Sequence, residues 1–392
     1  MSADVRQSPE ILQQRRPSLK SADGRHWASL DHVRALAAFM VFSWHFIHGS
    51  GGYPVPFEGA PFPSPLVFLD EGHAGVSLFM CLSGYLFAKL IGDRAIDFPA
   101  FLWNRFLRLA PLLTIVLAIA TIVHLQDGET TAIHLQHLVL GLMLPVWPNG
   151  GWSITVELQF YAFLPVILIA TIRYKYAPLL IVGAFIILRC VLLTQLDHFW
   201  LLSYTTLLGR ADQFLLGIFA FYMRDRVAGR HGLASVVLTL FMLAYWQFDR
   251  LGGYQSISGD NASTQAWILL PTIEAIAFSF GIAYYDNSFS FRPNKFLRVV
   301  EMAGSYSYFI YLFHFFIYAE MAMFIDQNVM DLSNFYVACL WAAICFAAFL
   351  PLGYCSYRFI EAPFLRWRRP YVLEQRAPVF AGTAAAPAQG TP

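Results

Sequence analysis

The chain has 392 residues and a formal net charge of +1; 57% of its residues are hydrophobic, 17% aromatic and only 13% charged. A soluble domain carries about a quarter charged residues, so this apolar surplus reads as a polytopic membrane protein, not a large soluble core. No basic patch alternates with exposed aromatics, which sets nucleic acid aside as an expected partner.

The first thirty residues are polar and carry Arg6, Arg15, Arg16, Lys20 and Arg25. They contain no apolar stretch of the kind a cleavable signal peptide needs, and residues 1–29 read as a disordered cytoplasmic arm. Apolar runs of spanning length follow at 30–48, 66–90, 106–125, 152–172, 177–194, 205–223, 232–248, 265–285, 303–324 and 335–357. The predicted fold class is therefore an all-α polytopic membrane protein with about ten transmembrane helices. The even-numbered connections carry Arg94, Arg105 and Arg108, then Arg173 and Lys175, then Arg224, Arg226 and Arg230, then Arg292, Lys295 and Arg298. The odd-numbered ones carry only Arg250. The positive-inside rule then places both termini in the cytoplasm. Residues 30–365 read as one membrane domain and 366–392 as a disordered cytoplasmic tail. The localisation expected is a multi-pass integral membrane protein, in the inner membrane if the source is bacterial, with lipid as its surroundings.

Two connections have content of their own. Residues 49–65 are rich in Gly, Pro and Phe, and read as an ordered lid or groove wall. Residues 131–147 hold a segment with His134 and His137 that is too short to span, and read as re-entrant or interfacial. The five cysteines (Cys81, Cys190, Cys339, Cys345, Cys355) show no CxxC spacing, so neither a disulfide framework nor a metal site is expected.

The first span carries Asp31, Arg34 and His45, and ionisable groups inside a membrane helix are costly enough to suggest function. Arg34 and His45 are eleven residues apart, close to three helical turns, so they share a face roughly 16 Å apart along the axis. Asp31 is one turn from Arg34 and can pair with it. A snorkelling Arg and a structural His explain the same pattern. In the second span, Ser83-Gly84 is a small pair that admits close approach of another helix or of a ligand. The third span opens with Arg105 and Arg108 on one face. Arginine forks bind phosphate oxygens bidentately, although anchoring by positive charge accounts for the pair equally simply. The fourth span opens Trp152-Ser153-Ile154-Thr155-Val156-Glu157, with Tyr161 one turn further. Glu157 needs a partner at that depth, and His45 or Arg34 is the natural expectation. Arg210, Asp212, Glu274 and His314 fit a structural polar network as well as they fit catalysis. Pro363, after Glu361, is expected to stop the last helix.

These stretches together resemble acyltransferase family 3 of integral-membrane O-acyltransferases. The motifs occur in the family's order: L-D-x-x-R followed by R-x10-H (Arg34, His45), F-x3-S-G (Phe79, Ser83, Gly84), R-x-x-R (Arg105, Arg108), W-S-x-x-x-E (Trp152, Ser153, Glu157), S-Y-S-x-x-x-Y-L-x-H (Ser305 to His314) and E-x-P (Glu361, Pro363). Two positions depart from the family: His32 stands where Gly is common, and Ser77 where Asp is common. No role is carried onto Ser77. The resemblance implies transfer of an acyl group, commonly acetyl from cytosolic acetyl-CoA, to a hydroxyl of a sugar, glycan or other acceptor. Acyl-CoA enters as co-substrate, with no permanently bound cofactor. His45 would be general base or covalent acyl carrier, with Arg34 and Glu157 as its catalytic companions. Arg105, Arg108, Ser83 and Gly84 would hold acyl-CoA. Asp31, Trp152, Ser153, Tyr161 and His314 would line the substrate pocket. The rival readings are a transporter with an intramembrane proton relay and a non-enzymatic receptor or scaffold. The first would be expected to show an internal repeat, and the second leaves the polar set without a task.

Overall fold

The computed structural model describes residues 27–49, 51–126, 131–196, 199–258, 264–292 and 294–373. The terminal segments read as disordered lie mostly outside these residues. Among the described residues there are helices and isolated bridges but no strand. The longer helices are α1 (Ala28–His48), α2 (Ala74–Ile91), α3 (Phe98–Gln126), α4 (Trp152–Arg173), α5 (Ala177–Leu193), α6 (Leu207–Val227), α7 (His231–Arg250) and α8 (Leu270–Ser288). They continue with α9 (Lys295–Ser305), α10 (Ser307–Phe313), α11 (Tyr318–Asn328) and α12 (Phe335–Ser356).

Every predicted span overlaps these helices, but 303–324 is divided among α9, α10 and α11. Five are long and apolar enough to cross a membrane by length and composition, and a sixth crossing arises if the bent pair Ser307–Phe316 and Tyr318–Asn328 counts as one. The shortfall from ten has a physical reason. The helices that fail are the ones loaded with ionisable residues, such as α1 and α6, or short ones such as α5, with 17 residues.

Burial separates centre from periphery. The apolar window of α2 is 78% buried, against 17% for α7. Helix α6 packs most extensively on α2 and α8, and α1 on α9, α2 and α12. These crossings are made at glycines. A Cβ on Gly84 would meet the Phe214 carbonyl oxygen at 2.0 Å, and one on Gly217 the Cys81 carbonyl oxygen at 2.1 Å. Small residues let membrane helices bring their backbones together where no hydrophobic driving force helps. The outer helices expose apolar side chains such as Val166, Leu180 and Phe359, a surface matched to hydrocarbon.

Of the buried polar residues, Arg210, Asp212 and Glu274 lie in hydrogen-bonded clusters in the core. Arg189, Asp212 and Thr272 bond one another in the core. In a second cluster, Ser77 donates to Glu274 at 2.5 Å and accepts from Arg210 and Gln213, while Tyr245 also donates to Glu274. A carboxylate therefore sits beside position 77 even though the residue there is Ser.

The Gly-Pro-Phe connection is ordered over 51–65 and tied to the bundle. His48 Nδ1 donates to the Val55 carbonyl, the Ala60 amide to Asp249, and the Trp246 indole to the Ala60 carbonyl. The segment Thr131–Leu140 is a short helix, with His137 exposed. The His134 side chain lies outside the described set.

Two expectations are corrected at the C-terminal end. Pro363 does not stop the chain's helical course. A π-helical turn, Tyr357–Glu361, leads into Ala362–Leu365, where Pro363 occupies the first turn that proline tolerates. The stretch 366–373, assigned to the tail, is packed: Tyr371 is fully buried and accepts the Asp97 amide at its carbonyl, while Asn104 exchanges two bonds with Arg369.

Candidate active site

Two cavities meet inside the bundle. The first, about 240 Å³, is lined by basic residues: Arg34 from α1, Arg105 and Arg108 from α3, and Arg368 from the C-terminal segment. Ser83, Ser153, Glu157 and Tyr161 also line it. The second, about 260 Å³, is aromatic: Trp44, His45, His73, Trp152, Tyr204, Tyr254 and Phe315 surround it. Val76 and Tyr311 line both, so the two chambers share a wall. The Tyr311 hydroxyl is held in that wall by Ser153 at 2.8 Å and by the Gly150 carbonyl at 3.1 Å.

In the basic chamber the guanidinia come from distant parts of the chain. Arg34 is paired with Asp31, one turn away, as the spacing predicts. Arg108 is paired with Glu361 at 2.5 Å across 253 positions of sequence. Arg105 lies over the Phe87 and Phe101 rings, its centre 5.3 and 5.5 Å from their centroids, which fixes a long side chain by cation–π contact. The pair on α3 thus points inward instead of serving only as a topological anchor. Burial, and then the nearby charges of Arg108 and Arg105, push Arg368 down to about 10. Four guanidinia face the carboxylates of Asp31 and Glu157 here, with Glu361 behind Arg108. Even with all three carboxylates counted, the chamber keeps a positive excess suited to a polyanion.

In the aromatic chamber the central group is His45. Its Nδ1 lies 2.8 Å from the Val41 carbonyl and 3.3 Å from His314 Nε2. A carbonyl can only accept, so Nδ1 carries the proton and Nε2 the lone pair. His314 is locked in the same way by its own Nδ1 bond to the Ile310 carbonyl at 2.9 Å. Its Nε2 lone pair therefore faces the His45 Nδ1–H. The 3-10 turn His314–Phe316 ends the first arm, a 64° bend follows at Ile317 before α11, and His314 lies within 3.3 Å of His45 on α1. His45 Nε2 has no hydrogen-bond partner among the described residues and is available to a ligand.

Several predicted site residues fall elsewhere than expected. Glu157 is not a partner of His45 or Arg34: it accepts from Ser83 at 3.1 Å and from Tyr161, within the basic chamber. Asp31, Ser153 and Tyr161 line that same chamber instead of one they share with His45. Trp152 does line the His45 chamber. His314 is fully buried behind His45 and supports it instead of lining the pocket. Gly84 faces α6 in a backbone crossing, while its neighbour Ser83 faces the chamber. Sequence reasoning missed His73, Tyr204 and Tyr254, which come from segments with no motif reading, and Arg368, which lay in the presumed tail. A second histidine 28 positions after His45, at the start of an interior helix, was the one available signal for His73.

Comparison with known proteins gives the family. A relative, peptidoglycan O-acetyltransferase OatA of Listeria monocytogenes, is 23% identical over 386 residues, covering 86% of this chain and 55% of its own length. The chain thus spans about half the length of that relative. No solved structure matches the chain significantly. The family model described as acyltransferase domain matches residues 27–357. That match covers the elements that build both chambers except the segment carrying Glu361 and Arg368, and on it the chain belongs to acyltransferase family 3.

Proposed function

We propose that this acyltransferase moves an acetyl group from cytosolic acetyl-CoA, held in the basic chamber, to a hydroxyl of a sugar or glycan held in the aromatic chamber. The observation that carries the reading is the shared wall: the guanidinium-lined cavity and the cavity containing His45 Nε2 meet at Val76 and Tyr311. The name of the Listeria monocytogenes relative supports an acetyl donor and a glycan acceptor.

The guanidinia suit the phosphates of CoA, since planar forks match phosphate oxygens bidentately. The pantetheine arm then extends toward Tyr311 with the thioester at its end. His45 Nε2 takes the proton of the acceptor hydroxyl as that oxygen attacks the thioester carbonyl carbon. The C–O bond forms, the C–S bond breaks, and the CoA sulfur leaves with the proton from the imidazolium. His314 Nε2 accepts from His45 Nδ1–H, which orients the ring and stabilises its charged form, the role of the third member of a hydrolase triad. A covalent relay through an acetyl-imidazole uses the same Nε2 lone pair.

The orientation follows from the basic connections: ten crossings, both termini cytoplasmic, the basic chamber opening to the cytosol. Introduced cysteines report it. Asp331→Cys should react with an impermeant maleimide from outside and Arg226→Cys from inside. A reversed pattern would put the donor chamber on the wrong side. Purified protein given labelled acetyl-CoA should cleave the thioester, and no cleavage with any acceptor would sink the reading.

A further inference from the structure

His73 is 2% exposed and lines the aromatic chamber together with His45. Its Nε2 is 2.8 Å from Glu71 Oε2. Its Nδ1 is buried and has no hydrogen-bond partner. Glu71 is held in place by the backbone at Gly253 and Tyr254. Both its oxygens accept the Tyr254 amide at 3.1 Å, and Gly253 stands where a Cβ would lie 1.6 Å from Oε1. With Glu71 ionised, the His73 proton is on Nε2 and a lone pair is left on Nδ1. Buried polar atoms are nearly always bonded, and an exception calls for an explanation.

Two imidazoles thus border one cavity: His45, whose Nε2 has no partner among the described residues, and His73, whose Nδ1 is buried without one. The remaining lining is mostly aromatic, beside Val41, Val76 and Gly150: Trp44 and Tyr254 have centroids 5.5 Å apart, Trp152 and Tyr204 5.0 Å, and Tyr204 and Tyr254 5.1 Å. Flat aromatic walls with a few placed acceptors suit an amphipathic ring that carries hydroxyls.

We infer that His73 is an acceptor-binding residue, and that the chamber takes a polyol ring by two hydroxyls, one bonded to His45 Nε2 and the other to His73 Nδ1. The inference rests on the aromatic chamber being the acceptor site. The hydroxyl at His45 is acylated, and the one at His73 sets which position of the ring arrives there. Glu71 is the positioning residue, because its carboxylate selects the tautomer.

The test uses purified full-length protein, labelled acetyl-CoA, and methyl α-D-glucopyranoside with its 3-deoxy and 4-deoxy analogues as acceptor probes. His73→Leu should raise the apparent KM for the glucoside about tenfold, the loss expected when one buried hydrogen bond is broken. His73→Asn, whose side-chain oxygen falls close to the position of Nδ1, should recover most of it. One of the deoxy sugars should be a poorer acceptor for the wild type yet be used by His73→Leu as well as the parent sugar is, the non-additivity that marks a direct contact. Nitrogen-15 shifts of histidine-labelled protein should show Nδ1 of His73 unprotonated. Wild-type KM in both variants, a deoxy effect that adds fully to the Leu effect, or a protonated Nδ1 would overturn the inference and leave the acyltransferase reading in place. Thioester cleavage by the wild type without modification of any glucoside would remove the sugar-acceptor reading and this inference with it. Absence of cleavage would remove the donor reading instead.

Discussion

The two chambers are of similar size, about 240 and 260 Å³, but they are equipped in opposite ways. The basic chamber holds permanent charges in excess on one sign, gathered from α1, α3 and the C-terminal segment. The aromatic chamber holds no Asp, Glu, Lys or Arg in its lining, and its two histidines each end in a lone pair. Permanent charge suits capture of an anion and cannot take up a proton, whereas a neutral imidazole can take up a proton and orients a hydroxyl meanwhile. On the proposed assignment, binding of the donor and proton transfer from the acceptor are separated in space, with Tyr311 and Val76 as the boundary. Mutations in the basic chamber should therefore act on donor affinity, and mutations in the aromatic chamber on turnover and acceptor use.

The largest expected effect tests the aromatic side. His45→Ala should lower transfer by about 10²–10⁴-fold if the imidazole is a general base, and by more if it carries the acyl group. Protein amount in the membrane should not fall. Mass analysis of the wild-type peptide, with acceptor withheld, distinguishes the two: an added acetyl mass on His45 marks the relay. Normal turnover by a well-inserted variant would return His45 to a structural role and dissolve the contrast between the chambers.

The next effect tests the scaffold on which both chambers depend. Gly84→Val should sharply lower the yield of inserted protein, because its side chain would displace the Phe214 backbone. Quantitative blotting of membranes reads the result. A well-inserted Gly84→Val variant with only its donor KM altered would make Gly84 a ligand contact after all.

On the basic side, Arg108→Lys should raise the apparent KM for acetyl-CoA by about tenfold, since an ammonium cannot reproduce a bidentate fork. Arg368→Ala should act in the same direction and more weakly. A change in kcat with donor KM untouched in both variants would break the assignment of the two chambers.

The smallest effect is expected from Glu157→Gln. The amide still accepts from Ser83 and Tyr161, and only a charge that offsets the guanidinia is lost. The acetyl-CoA KM should shift by less than about threefold. A collapse of kcat comparable to that of His45→Ala would show that Glu157 acts with His45 despite lying in the other chamber.

The sequence by itself determined the class of the protein and the existence of its helices. Apolar length and ionisable exceptions are local properties: Asp31 pairs with Arg34 because both sit on one helix, one turn apart, and three turns carry that face to His45. The motif order also brought Arg105, Arg108, Ser83 and Trp152 to a chamber wall. Only the tertiary structure decided which wall. Glu157 and His45 are on different helices, and nothing local says that a rotation of α4 sends Glu157 to the arginines and leaves Trp152 facing His45. His314 became the support of His45 because α10 packs against α1 and brings the two rings together, a contact set by tertiary packing. Gly84 and Ser83 are adjacent yet face a helix and a cavity respectively, since successive residues on a helix point about 100° apart. Arg368 and His73 carried no motif. Their places come from contacts across long sequence separations, Arg368 against α3 and His73 against Tyr254, and pairing over such distances leaves no periodic trace in the chain.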